Sequence, residues 1–206
     1  MNSYLAIDAG GAALTAVLKA GGKYYTFTEP QLRHTSAVLL PAVENLLAEA
    51  KITLSDLDCF GVTLGPGSFT GIRVGLVTVK AWAYALGKPC VGVNSLLAGA
   101  YITNNPCISL IDGSNGTCYV AAYGADKKEV SPPRCIYAAD IPAELKGGFD
   151  IVADNSLSSY IDKPFLTVNP AKSLPLAIER GKSQKYDALT PLYIRKSQPE
   201  RKAGEL

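Results

Sequence analysis

The chain has 206 residues, 48% of them hydrophobic, enough for one full domain or for two small lobes with buried cores. Twenty Lys and Arg against 18 Asp and Glu leave a formal charge of +2, too small to specify a nucleic-acid or membrane surface by charge alone. Cys59, Cys90, Cys107, Cys118 and Cys135 are scattered, form no CxxC pair and fall mostly in apolar runs, the pattern of buried thiols in a reducing compartment. MNSYLAIDAGG lacks a basic segment ahead of its apolar run, and no stretch of about 18 apolar residues occurs, so a cytoplasmic protein that does not span a membrane is expected.

Three strands are predicted first, over residues 4–8, 12–18 and 24–28, the last two joined across Gly21-Gly22. TSAVLLPAVENLLAEAK then reads as a helix with a broad apolar face, Leu39, Ala42, Leu46 and Ala50 on one stripe and Leu40, Val43 and Leu47 on the next. A short strand over 58–63 leads into LGPGSFTGIRVGLVTVKAWAYALG, residues 64–87, followed by a strand over 89–93 and a helix over 96–102.

The glycine-rich stretch permits two readings. A phosphate-binding loop would use free N–H groups at the helix start, but the Walker spacing fails: after Gly65, Gly67 and Gly71 come Ile72 and Arg73, and the next lysine is Lys80. The pattern GxGxxG misses by one residue. The other reading makes Pro66-Gly67 a turn, Ser68 an N-cap, and Gly71 and Gly75 points where the helix approaches another backbone. On that helix Ile72, Leu76, Val79, Ala83 and Leu86 form a core stripe while Val77, Trp82 and Tyr84 project elsewhere; a helix apolar nearly all round is wholly buried or shared with a partner.

AIDAGGAALTAVL from Ala6 and LIDGSNGTCYVAAY from Leu110 repeat a strand ending in Asp, a small turn and an alternating strand. The repeat implies a duplication, with one lobe over 1–104 and a smaller one over 105–206. The second continues with strands near Cys135 and over 150–153 and helices around 142–145 and 174–181. Lobes ordered β-β-β-α-β-α are the pattern of the actin, sugar kinase and Hsp70 superfamily. Its turns after the first strands hold nucleotide phosphates, which makes Asp8, Gly10 and Asp112 the candidates for a nucleotide contact.

GPGSFTGIRVGLVTVKAWAYALGKPCVGVNSL, RHTSAVLLPAVENLL and DALTPLYIR resemble the bacterial TsaB family, also called YeaZ and classed as glycoprotease-like. The resemblance covers most of the chain and is densest over residues 33–98. It implies an α/β fold of two duplicated ribonuclease H-like (actin-like ATPase, ASKHA) lobes, the second reduced. It also implies a non-catalytic partner of the catalytic subunit TsaD, and through the complex of the ATPase TsaE, in forming threonylcarbamoyladenosine next to tRNA anticodons. ATP and metal are then expected on the partner subunits and none here; alone, the chain is expected to be a homodimer, with any tRNA contact indirect. The expected partner surface is His34, Leu40, Val43, Leu47, Arg73, Val77, Lys80 and Tyr84. Two departures stand out: DAGGAALTAV replaces an Asp-Thr-Ser turn, and DGSNGTCYV lacks the arginine usual after Asp112.

TsaD carries an HxxxH metal pair directly after a VGVN strand. Here Val91-Gly92-Val93-Asn94 is followed by Ser95, with Gly99 at the second ligand position, and His34 is the sole histidine of the chain. A peptidase would have to pair His34 with Ser68, Ser95 or a thiol, and no GxSxG elbow is present. The competing class is a small ATPase or phosphotransferase built around Asp8 and Asp112. Arg195, Lys196, Arg201 and Lys202 in the closing YIRKSQPERKAGEL read as a solvated terminus or a weak RNA contact.

Overall fold

The computed structural model describes residues 1–30, 35–145 and 147–195. Each half of the chain builds a mixed sheet in the same order. In the first, β1 (Tyr4–Asp8), β2 (Ala13–Ala20) and β3 (Lys23–Pro30) form an antiparallel meander; β4 (Cys59–Thr63) and β5 (Cys90–Val93) follow in parallel on the other side of β1. In the second, β6 (Cys107–Ser114), β7 (Thr117–Tyr123) and β8 (Glu129–Tyr137) make the meander, and β9 (Asp150–Ala153) and β10 (Leu166–Thr167) extend it in parallel. The spatial orders, β3-β2-β1-β4-β5 and β8-β7-β6-β9-β10, are identical by position. The short repeat at Ala6 and Leu110 is therefore the visible edge of a whole-sheet duplication.

Local chemistry sets the turns. Gly21 and Gly22 both adopt positive φ, 56° and 75°, as a two-residue hairpin that follows strand twist requires. β1 is buried along its whole length and alternates: Leu5 and Ile7 point to one face, Tyr4 and Ala6 to the other. Helices α1 (Thr35–Ala50) and α2 (Phe69–Leu86) cover the first face, packing Leu39, Leu46, Leu76 and Val79 against Leu5, Ile7, Phe60 and Val62. Ser68 caps α2 as the sequence indicates, its Oγ accepting the Gly71 N–H at 3.3 Å.

The helices that follow the fifth strands are exchanged. α3 (Ser95–Ala100), which follows β5, lays Leu96 and Ala100 on the second sheet beside Cys107, Ala121 and Val152. α5 (Pro170–Arg180), which follows β10, lays Leu174, Ala177 and Ile178 on the first sheet against Tyr4, Ala6, Val17 and Val91. Ile178 comes so close that a Cβ on Gly61 would lie 2.6 Å from its Cδ1, so any larger residue there would have to displace the Ile178 side chain. Beyond α5, β11 (Ser183–Gln184) pairs antiparallel with β5 as the sixth strand of the first sheet. A division at residue 104 thus separates the two meanders, but α5 and β11 return to the first sheet, because that sheet's second face needs an apolar cover. Among the described residues the second sheet's outer face is covered by short elements, a 3-10 segment over Ala138–Asp140, the single-turn α4 (Ile141–Glu144) and a 3-10 segment over Asn155–Tyr160, which contribute Ala138, Ile141 and Leu157.

Candidate functional site

Two regions of the molecule hold the residues singled out by sequence. The first is the cleft between the lobes, which Asp8 and Asp112 enter from the matching ends of β1 and β6. Asp8 is 7% exposed; its Oδ1 accepts from Thr63 Oγ1 at 2.8 Å and from the Gly10 N–H at 3.1 Å. Burial raises its pKa, and these hydrogen bonds oppose the rise. The Asp112 N–H donates to Asp154 Oδ2 at 2.9 Å, and Asp112 Oδ1 accepts from the Ser114 N–H at 2.7 Å. Burial, with the charges of Asp8 and Asp112 adding to it, pushes Asp154 up to about 6 against the Asp112 hydrogen bond. Asp8, Asp154, Ser95 and Gly99 line a cavity of about 90 Å³. A wider one of about 440 Å³ lies against Gly10, Ser68, Asp112, Asp154 and Arg195.

Sequence reasoning missed Asp154 and Arg195. Arg195 had been grouped with a solvated tail; instead it is 9% exposed, because its guanidinium inserts into the β6–β7 turn, and this corrects that expectation. The remaining basic residues of the tail, Lys196, Arg201 and Lys202, lie outside the described residues, as does His34.

The glycine-rich loop is a turn packed against another turn. The Ser68 N–H donates to the Gly10 carbonyl at 2.8 Å, and a Cβ on Gly67 would collide with that same oxygen. Gly10 is equally confined, since a Cβ there would lie 2.9 Å from Ile72 Cγ1. Gly10 and Gly67 therefore bring the two loops together backbone to backbone. The wider cavity is lined by two carboxylates, Asp112 and Asp154, and by the Arg195 guanidinium.

At the positions of the two-histidine pair stand Ser95 and Gly99. Ser95 Oγ is buried without a hydrogen-bond partner among the described residues, and Gly99 is so enclosed that a Cβ would lie 3.2 Å from Ser109 Oγ. Among the described residues no cluster of three or more His, Cys, Asp or Glu could hold a metal ion. Thiol chemistry is also suppressed: burial pushes Cys59 up to about 12 and Cys90 and Cys107 up to about 11, and raises Cys118 as well. Ser68 Oγ is committed to capping α2.

The second region is the outer surface of α1 and α2. Leu40, Val77 and Tyr84 are 49%, 65% and 71% exposed, an apolar set that the chain's own core leaves uncovered. Val43 and Leu47 are corrections to the expected partner surface: both are buried in the first lobe's core, because the broad face of α1 turns two stripes inward, while Leu40 stays exposed. Three other predicted residues already have work within the chain. Arg73 Nε donates to Tyr193 Oη at 2.9 Å, Lys80 Nζ donates to the Leu189 carbonyl at 3.0 Å, and the Tyr84 ring meets Tyr186 edge-on at 5.3 Å.

With this geometry in view, comparison with known proteins gives a consistent picture. The family model for TsaD, tRNA N6-adenosine threonylcarbamoyltransferase, matches residues 28–140. An uncharacterised protein of Mycobacterium leprae is 37% identical over 128 residues, 60% of this chain and 36% of its own length. The tRNA threonylcarbamoyladenosine biosynthesis protein TsaB of Escherichia coli is 30% identical over 131 residues, 61% of this chain and 57% of its own. Less than two thirds of either relative is thus matched. Among solved structures, YeaZ from Pseudomonas aeruginosa superposes with a TM-score of 0.77 at 22% identity, over 94% of this chain and 100% of that one, which agrees with a two-lobed, ribonuclease H-like fold. No helix among the described residues is long and apolar enough to cross a membrane.

Proposed function

This chain belongs to the TsaD/TsaB (YeaZ) family, and on that premise we propose that it serves the formation of threonylcarbamoyladenosine in tRNA as a non-catalytic subunit that binds TsaD and, through it, works with TsaE. The observation that carries this reading is the residue pair Ser95 and Gly99. Where a TsaD-type metal pair would stand this chain has a serine and a glycine, and neither supplies an imidazole to a metal. The chain then contributes shape rather than chemistry. Leu40, Val77 and Tyr84 offer an apolar surface on two rigid helices, and each such side chain, once covered by a partner, is worth roughly 1.5–3 kcal/mol of association. Alone, the same surface pairs two copies of the chain. ATP and metal belong to the partner subunits, tRNA is reached through them, and the assembly is cytoplasmic.

The test is co-purification of this chain with TsaD, followed by a tRNA modification assay with and without it. Binding together with a requirement for this chain is expected; unchanged modification in its absence overturns the proposal. A second reading, an ATP-using enzyme working between Asp8 and Asp112, is favoured by the carboxylates at the cleft. Calorimetric titration separates the two: no stoichiometric heat with ATP, Zn²⁺ or Fe²⁺ is expected from the isolated chain, and tight binding of any of them supports the enzyme.

A further inference from the structure

The segment that follows β11 belongs to neither repeat. It runs along one flank of α2 from the helix's end to its start. Tyr186 lies on Tyr84, the Leu189 carbonyl is held by Lys80, and the Leu192 N–H donates to the Leu64 carbonyl at 2.7 Å. Tyr193 stacks on Phe69 with ring centroids 4.6 Å apart and accepts from Arg73. The segment then changes lobes. Ile194 packs on the cluster between α3 and the second sheet, and Arg195 enters the β6–β7 turn, Nη1 donating to Thr117 Oγ1 at 2.7 Å and Nη2 to the Gly113 carbonyl at 3.2 Å.

We propose that residues 189–195 are an interlobe latch with Arg195 as its catch, so that the cleft between the lobes opens only after the guanidinium leaves the β6–β7 turn. The asymmetry of the anchors carries this. On the first lobe the arm is held by a buried leucine, a backbone hydrogen bond, a ring stack and two cationic side chains; among the described residues, Ile194 and Arg195 are what hold it on the second. Release therefore occurs at the second lobe. The catch is also incompletely satisfied: among the described residues Arg195 Nε is buried without a partner, an arrangement that favours reversible over permanent closure. Because Arg195 is the only cation among the described residues lining the 440 Å³ cavity, its departure removes that positive charge from beside Asp112 and Asp154.

The full chain carrying Arg195→Ala tests this with two readouts, hydrogen exchange at the Leu192 amide and alkylation of Cys107 relative to Cys118. Cys107 is buried between α3 and the second sheet, whereas Cys118 is buried on that sheet's opposite face and serves as the reference. Losing two hydrogen bonds from a charged donor should speed Cys107 alkylation by about tenfold, with Cys118 alkylation and Leu192 exchange unchanged because the arm stays on the first lobe. Faster Leu192 exchange without a change at Cys107 shows that the arm moves but does not hold the lobes, and overturns the proposal. So does an equal gain at both cysteines, which is a general loss of stability, or no change at either readout. Should Arg195→Ala fail to fold, Thr117→Val removes one of the two acceptors of the catch and should speed Cys107 alkylation by about threefold; no change in that variant overturns the latch.

Discussion

The two lobes start from the same five-strand plan and diverge in what they place outside it. Between its third and fourth strands the first lobe has the 16-residue α1, and between its fourth and fifth the 18-residue α2; at the matching positions the second lobe has the four-residue α4 and a six-residue 3-10 segment. Both outer faces are apolar and both are covered, by Leu39, Leu46, Leu76 and Val79 in one lobe and by Ile141, Leu145, Leu157 and Ile161 in the other. Covering a five-strand sheet does not require two long helices. The surplus in the first lobe is surface, and part of it is apolar and unused by the chain itself.

The largest effect that could break this comparison lies on the inner faces, where the lobes depend on each other. Ile178→Ala in α5 and Leu96→Ala in α3 each empty a fully buried site on the opposite lobe's sheet. Each should cost about 2–5 kcal/mol, and calorimetry should show a single transition at a lower temperature. Two separate transitions would mean that the lobes fold independently. On the surplus surface, the double variant Val77→Glu, Tyr84→Glu should remain folded by circular dichroism while TsaD binding weakens by roughly a hundredfold or more, since an unpaired carboxylate is costly inside an interface and cheap in water. Retained binding would remove α2 from the interface; loss of the fold would show that its exposed stripe supports the core.

Ser68→Ala sharpens the contrast on a smaller scale. α2 is capped by the Ser68 side chain and α4 has no side-chain cap, so removing the hydroxyl should cost the first lobe about 0.5–2 kcal/mol in urea unfolding. An equivalent Asp140→Ala in the second lobe should be near neutral. The smallest expected effect is a change in pH dependence. Asp154 has its pKa raised from an ordinary 3.8 to about 6 in the folded chain, so folding favours its protonated form. The stability this contributes is fully present below pH 3.8 and is lost as pH rises through about 6. Asp154→Asn should flatten the decline in stability between those values while leaving the unfolding slope unchanged. An unaltered pH profile would mean that Asp154 is solvated and the cleft open.

Much of this architecture was legible before the structure. Glycine pairs and period-two alternation marked the strands, the 3.6-residue stripes marked α1 and α2, and Ser68 was recognisable as a cap because it directly precedes an apolar run. What stayed hidden depended on contacts distant in sequence. The return of α5 cannot be read from its own residues, because an amphipathic helix does not name the sheet it covers. Val43 and Leu47 looked available because α1 is apolar over more than one stripe, and which stripe faces outward is decided by the position of α2 and the sheet. Arg195 sat among mixed charges near the end of the chain, where burial leaves no local signal. Asp154 follows a four-residue strand, and only the approach of Asp112 gives it significance.

The exchange of α3 and α5 also governs the order in which the protein can be made. A ribosome delivers β1 to β5 together with α1 and α2, yet Tyr4, Ala6, Val17 and Val91 remain uncovered until Ile178 emerges much later in the chain. At roughly 5–20 residues per second the nascent first sheet waits several seconds with one face bare. During that interval α3, already synthesised, has no second sheet to sit on. Synthesis rate and chaperone occupancy over residues 105–180 should therefore control the yield of native protein more than the stability of the finished molecule does.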